Sequence, residues 1–142
     1  MRTQGPWLAT VLPVLNEEAH IEACLRSLLD QSLPSEEHMV MVFDGGSSDA
    51  TREIIRSIQE SLNKENDPVL QLYDNPDRFV PHARNLALKH LPESVTHVLE
   101  FNGHIEIDSN HLEQLKSVWN RLESAHPNIC LLYTSDAADD LW

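Results

Sequence analysis

Short apolar runs alternate with amphipathic stripes along this chain. Leu8 to Val14 is a short apolar run ending at Pro13-Val14-Leu15, and Asn16-Glu17-Glu18 follow as an N-cap candidate with acids in the first turn. The pattern predicts a strand that switches directly into a helix. Ile21, Cys24, Leu25, Leu28 and Leu29 recur at helical spacing and stop before Pro34, which predicts a helix over about Glu17 to Gln31. Met39 to Phe43 is continuously apolar, the pattern of a strand covered on both faces. The small residues of Asp44-Gly45-Gly46-Ser47-Ser48-Asp49 then make a turn, and Ile54, Ile55, Ile58 and Leu62 form a second helical stripe. Val69 to Tyr73 predicts a third strand, Pro81 to His90 a helix, and Thr96 to Phe101 a fourth strand. Asn110 with Glu113 resembles a capping box ahead of a helix carrying Leu112, Leu115, Val118, Trp119 and Leu122.

Strands and helices in alternation, joined by short loops, imply an α/β fold with a mostly parallel sheet and helices on both faces. Ligands of such sheets bind where loops diverge at the carboxyl ends of the strands. Asn16-Glu17, Asp44 to Asp49 and Asn102-Gly103-His104 all fall at those ends. The 142 residues suffice for one domain, and 41% hydrophobic with 23% charged residues is ordinary globular composition. Ten basic against 23 acidic residues give a net charge of -13, which argues against a nucleic-acid partner. Cys24 and Cys130 are too few for a disulfide framework or a cysteine-based zinc site, so a reducing, cytoplasmic setting is expected. No apolar run approaches the roughly 20 residues of a membrane-spanning helix, and the start lacks the layout of a signal peptide.

The clusters admit more than one chemistry. Asp44 can accept hydrogen bonds from a nucleobase or a ribose, with Gly45 and Gly46 letting a ligand approach the backbone; equally, the segment is a flexible turn and Asp49 caps the next helix. Neither the Gly-x-Gly-x-x-Gly fingerprint nor a phosphate-binding Gly-Lys-Ser is present. Arg78 and Arg84 flank Pro81, where a guanidinium fork can hold a diphosphate, or can pair with carboxylates such as Asp77 or Glu93. His104, Glu106 and Asp108 alternate, so an extended segment would put them on one face with Asn102 as cation ligands; a solvated strand end reads the same way. Cys24 lies on an apolar stripe and belongs to the core.

Pro13-Val14-Leu15-Asn16-Glu17-Glu18, Leu25-x-x-Leu28-Leu29-x-Gln31-x-x-Pro34 and Val42-Phe43-Asp44-Gly45-Gly46-Ser47-Ser48-Asp49-Ala50-Thr51 resemble the start of a family 2 glycosyltransferase. Asp74-Asn75-Pro76-Asp77-Arg78-Phe79-Val80-Pro81, Ala83-Arg84-Asn85 and Asn102-Gly103-His104-Ile105-Glu106-Ile107 are similar to its succinoglycan-biosynthesis, ExoA-like branch, where Asp-Gly-His replaces the usual Asp-x-Asp. The resemblance covers roughly Leu8 to Leu122. It implies the Rossmann-like half of a GT-A fold and an inverting hexosyltransferase that moves a sugar from a nucleotide diphosphate, UDP most often, to a polysaccharide or lipid-linked acceptor. Pro13, Asn16 and Glu17 would line the nucleotide pocket, Asp44 would contact the base and Arg84 the diphosphate. Asn102 and His104 would occupy the metal motif, with manganese or magnesium as the cation. Asn102 stands where the family has Asp, and an amide is a poorer ligand for a hard cation, so Glu106 or Glu100 would have to compensate.

The family's general base lies beyond the metal motif, past the end of this chain, as does any membrane-embedded C-terminal segment. Residues 7–129 are therefore expected to be the nucleotide-sugar-binding part of a truncated domain, inactive alone. Cys130-Leu131-Leu132-Tyr133-Thr134-Ser135-Asp136-Ala137-Ala138-Asp139 resembles a translated transposon-end sequencing adapter, so 130–142 are expected to be a non-native tail; the alternative is a genuine strand over Ile129 to Tyr133. Rival functions are a sugar nucleotidylyltransferase, whose glycine-rich basic loop is absent around Pro13 to Glu18, and a degenerate, non-catalytic nucleotide-sugar-binding or interaction module.

Overall fold

The computed structural model describes residues 5–128, so the expected tail lies outside the described residues. Strands β1 (Leu8–Val14), β2 (His38–Asp44), β3 (Val69–Asp74) and β4 (His97–Glu100) alternate with helices α1 (Ile21–Leu29), α2 (Thr51–Ser61), α3 (Val80–His90) and α4 (His111–Ala125). All strand pairs are parallel, in the order β3-β2-β1-β4. The expected α/β architecture is present.

The continuous apolar run of β2 is explained by its place inside the sheet, since all seven of its residues are buried. Leu12, Val14, Val40, Val42 and Leu70 pack against Ile21, Cys24, Leu25 and Leu28 of α1 and Ile55 and Ile58 of α2. On the other face Ala9, Val11, Met39, Met41 and Phe43 meet Ala83 and Ala87 of α3, whose small side chains allow close approach. Each fully buried leucine or isoleucine contributes roughly 1.5–3 kcal/mol to the fold. Leu112 anchors α4 beside Leu8 and Leu33. Thus α1 and α2 cover one face and α3 the other, the arrangement that right-handed crossovers produce when β4 joins the sheet on the far side of β1.

Two helix starts differ from the sequence pattern. α1 begins at Ile21, four residues later than expected, because Asn16 adopts a left-handed backbone (φ 52°) and the Glu17 carbonyl accepts the N–H groups of both His20 and Ile21. Asn16 is therefore not the N-cap. Nor does the capping box at α4 form: the Leu112 N–H donates to Gln31 Oε1, and the Glu113 carboxylate accepts from Ser32 Oγ. Long-range partners outcompete the local ones at both places.

Candidate functional site

β1, β2 and β3 end in one row at Val14, Asp44 and Asp74 and their backbones are pinned together there, whereas β4 ends at Glu100 opposite Val11. Gly45 N–H donates to the Val14 carbonyl at 2.9 Å and Asn75 N–H to the Asp44 carbonyl at 2.8 Å, so the loops after β1, β2 and β3 leave from one edge. The first two loops are then laced side by side. Asn16 N–H donates to Ser47 Oγ at 2.9 Å, and Asn16 Oδ1 accepts the Ser48 N–H at 2.8 Å. Glu17 N–H donates to Thr51 Oγ1, Glu18 N–H to Asp49 Oδ2, and the Glu18 carboxylate accepts from Ala50 N–H. Loop amides without a partner in the sheet or a helix are thereby satisfied by the neighbouring loop.

Asp44 is the hub of this corner. Its side chain is fully buried; its oxygens accept from the Gly46 and Ser47 amides, from Ser47 Oγ, and from Arg52 Nη1 at 2.8 Å. Burial alone would raise its pKa, but the bonds from Ser47 and Arg52 outweigh it and hold the carboxyl below the usual aspartate range. Arg52 also reaches Asp74 at 2.7 Å. Both Asp44 oxygens are committed to shaping the loop, in which Gly45 is buried and Gly46 is exposed. Gly46 has a φ of 98°, a conformation that favours glycine.

The loop after β3 folds back over this glycine pair. Asn75 is buried and donates to the Phe79 carbonyl at 3.1 Å, while Arg78 N–H donates to the Asn75 carbonyl. Arg78 has a φ of 66°, an uncommon backbone for a long side chain and a strain of roughly 1–2 kcal/mol. A Cβ on Gly45 would lie 3.4 Å from Arg78 Cα, and one on Gly46 would lie 3.6 Å from its guanidinium. Arg84, in the second turn of α3, directs Nε and Nη2 to the carboxylate of Glu100 at the end of β4.

After β4, the buried Gly103 passes beneath the first loop, where a Cβ would meet Val14 Cγ1 at 3.0 Å. This brings His104 Nδ1 to 3.7 Å from Glu17 Oε1. The Asn102 carbonyl accepts from the Cys24 thiol at 3.5 Å, and burial pushes that thiol up to about 12, consistent with the core position expected of Cys24. The alternation of His104, Glu106 and Asp108 does not yield a shared ligand face, because Ile105 N–H closes a turn onto the Asn102 carbonyl. Among the described residues no three His, Cys, Asp or Glu side chains come together to hold a metal. Glu100, a suggested substitute ligand, is engaged by Arg84. An imidazole, one carboxylate and the Asn102 amide are a thin donor set for a hard divalent cation.

These loops form one continuous rim. The Glycosyl transferase family 2 profile matches residues 10–130. The chain belongs to that family. The succinoglycan biosynthesis protein ExoA of Rhizobium meliloti is 33% identical over 105 residues, covering 74% of this chain and 30% of that protein. A Methanococcus voltae relative, dolichyl N-acetyl-alpha-D-glucosaminyl phosphate 3-beta-D-2,3-diacetamido-2,3-dideoxy-beta-D-glucuronosyltransferase, is 26% identical over 87% of this chain and 37% of its own. The crystal structure of S. aureus TarS 1-349 in complex with UDP superposes with a TM-score of 0.64 at 25% identity, over 80% of this chain and 32% of that one. The chain thus spans about a third of the length of these glycosyltransferases.

Within this family-2 fold, Asn16, Glu17, Asn102 and His104 follow the carboxyl ends of β1 and β4, Asp44 is buried at the end of β2, and Pro13 is the penultimate residue of β1. Sequence reasoning missed Arg52, the second residue of α2, which was signalled only by its spacing from Asp44. The apolar notch lined by Trp7, His97, Lys116, Trp119 and Asn120 lies at the opposite, amino end of β1 and β4, and none of the family motifs reaches it. No helix among the described residues is long and apolar enough to cross a membrane.

Proposed function

We propose that residues 7–129 are the nucleotide-sugar-binding part of an inverting glycosyltransferase that, in the longer protein, passes a sugar from a UDP-sugar to a polysaccharide or lipid-linked acceptor. The observation that carries this reading is the single rim on which the family motifs converge. The UDP complex of TarS, the dolichyl-linked acceptor named for the Methanococcus relative and the succinoglycan biosynthesis named for ExoA support the donor and acceptor classes. In the reaction, an acceptor oxygen bonds to the anomeric carbon as the bond to the diphosphate breaks. The acceptor's proton passes to a general base of the longer protein.

The assigned roles follow the rim. Pro13, Asn16 and Glu17 line the nucleotide pocket beside the loop that Asp44 shapes, and Arg84 with Glu100 forms the wall on the α3 side. His104 and Asn102 face the diphosphate, where polar N–H donors offset charge building on the leaving group. Manganese or magnesium would supply Lewis-acid assistance there. The imidazole, carboxylate and amide at this corner do not hold such an ion by themselves.

Titration calorimetry of the 142-residue chain with UDP and UMP, with and without manganese, tests the reading. Wild type should bind UDP several-fold more tightly than UMP, and His104→Ala should bring that ratio towards one, because His104 is exposed and its loss spares the core. Absence of UDP binding by a chain with an intact far-ultraviolet spectrum removes the proposal.

A further inference from the structure

The amino end of the sheet carries its own concavity, on the far side from the family motifs. Trp7 precedes β1, His97 opens β4, and Lys116, Trp119 and Asn120 come from the middle of α4; together they line a notch of about 130 Å³. A cavity of roughly 150 Å³ takes one benzene molecule, so this notch has room for a single six-membered ring and not for a nucleotide or a lipid chain. Its walls are already braced. Trp7 Nε1 donates to Glu37 Oε1 at 2.6 Å, and Lys116 Nζ donates to the same oxygen at 2.8 Å while lying 5.7 Å from the Trp7 ring centroid. His97 packs nearly at right angles to both indoles, with centroid separations of 5.4 Å to Trp7 and 5.0 Å to Trp119. Trp119 Nε1 donates to the Glu123 carboxylate at 2.8 Å. Since both indole N–H groups are engaged, the tryptophans present carbon to the notch. At its rim, His97 Nε2 and the Asn120 side-chain amide make no hydrogen bond among the described residues.

An apolar wall with a few polar groups at its rim suits a ligand that is apolar on one face and polar around its edge. A pyranose with equatorial hydroxyls is such a molecule, because axial C–H groups cover its faces. An organic cation fits less well: the Lys116 ammonium already lies over Trp7, and both nearby carboxylates are bonded. An anion would meet Glu37 and Glu123. We propose that the notch is a carbohydrate site, stacking one neutral pyranose on Trp119 with its hydroxyls bonded by Asn120 and His97, and that this sugar belongs to the acceptor glycan. The acceptor clause rests on the glycosyltransferase reading above; the binding of a sugar ring rests on the notch alone. The seven residues of β1 separate Trp7 from the rim by about 20 Å. The sugar held at the notch is therefore several units away from the reacting end, and the site favours long acceptors over short ones.

Saturation-transfer NMR on the 142-residue chain with octyl β-D-glucopyranoside, kept below its micelle concentration, tests the assignment, since this probe carries both a pyranose and an alkyl chain. Irradiating the protein should transfer saturation most strongly to the axial protons of the sugar ring. Trp119→Ala should lower that transfer about fivefold, the scale of one aromatic contact, while UDP affinity measured by calorimetry stays within about twofold of wild type. Trp119→Phe keeps a ring face but loses the bond to Glu123, so it should retain more than about half of the transfer, which separates stacking from support of α4. Should Trp119→Ala lose UDP binding as well, its fold is damaged and Trp119→Phe decides alone: without the ring signal, the proposal is overturned. It is also overturned if wild type transfers nothing to the ring protons, if the transfer survives Trp119→Ala, or if the signal that depends on Trp119 falls on the alkyl protons, which makes the notch a lipid contact. A wild type that shows the ring signal but does not bind UDP upholds the sugar site and defeats the nucleotide-sugar reading instead.

Discussion

Strands β2 and β4 each deliver a candidate site loop, yet they do so by different means. β2 is interior, buried at all seven residues, and its two polar ends are enclosed: His38 meets Thr10, and Asp44 meets its own loop and Arg52. β4 is an edge strand of four half-buried or exposed residues, with Val98 facing solvent. Its loop is held by contacts to another element, through Gly103 against Val14 and Glu17 and through Ile107 N–H to Ser27 Oγ. An interior strand can afford a self-contained polar hub, because low dielectric surroundings strengthen each bond once every partner is in place. A loop on an edge strand takes its position from its neighbours. The two corners should therefore fail differently when perturbed.

The largest effect is expected at the hub. Asp44→Ala removes the acceptor for Arg52 Nη1, two amides and a hydroxyl, in a buried pair whose arginine is 27% exposed. Breaking such a pair costs about 3 kcal/mol, at the low end for buried ion pairs because Arg52 keeps contact with water and with Asp74. Urea denaturation at neutral pH measures it. The wild-type carboxyl ionises more readily folded than unfolded, so it contributes stability above the ordinary aspartate range that is lost as pH falls through the folded value. Asp44→Asn should show a flatter acid limb. An unchanged limb would mean that Asp44 does not hold the loop by its charge.

At the other end of β2 the fold favours a neutral rather than a charged group, and the loss again comes on the acid side. His38 is 1% exposed, its Nε2 is 2.7 Å from Thr10 Oγ1, its Nδ1 has no partner among the described residues, and burial lowers its pKa to about 4. The folded chain keeps this ring neutral while the unfolded chain protonates it below about 6.5. Stability should thus fall as pH drops from about 6.5 towards 4, by an amount on the order of 2–3 kcal/mol. Replacing both partners, Thr10→Val with His38→Leu, removes the titrating group without orphaning the hydroxyl. Denaturation midpoints between pH 4 and 7 should then become level, and a slope that survives in the double variant would assign the loss to another group.

How legible these regions were in the sequence follows the same division. β2 announced itself through five consecutive apolar residues, and the α/β order followed from periodicity because both faces of an interior strand impose it. The motif positions at the strand ends were also legible, since the end of an apolar run fixes where the chain leaves the sheet. The lacing was not. Asn16 reads as an N-cap by local rules, but its side chain serves Ser48, 32 residues away, and the helix starts later. Arg78 and Arg84 looked equivalent in a chain poor in arginine; only the fold separates one bonded to Glu100 from one lying over Gly46. Likewise, the alternation of His104, Glu106 and Asp108 has a meaning only if the segment is extended, and a turn at Asn102 decides against that.

The smallest effects come from two glycines, and they rank the corners by how each loop is held. At Gly103 an added Cβ would sit 3.0 Å from Val14 Cγ1 and 3.3 Å from Glu17 Cγ. The Glu17 side chain can swing away, but Val14 is buried and β-branched, so it yields little. Gly103→Ala should therefore cost about 1 kcal/mol and move Glu17 relative to His104. At Gly45 the nearest atoms are 3.4 Å from Arg78 Cα and 3.5 Å from the Val14 carbonyl oxygen, which is ordinary contact, and its φ is not left-handed. Gly45→Ala should change stability by less than about 0.5 kcal/mol, the range of substitutions that create no clash. Thermal melts of the two variants side by side test the ranking. A costlier Gly45→Ala would show that the glycine floor of the β2 corner is as tightly packed as the seam beneath the β4 loop, and the distinction between the corners would then rest on their hydrogen bonds alone.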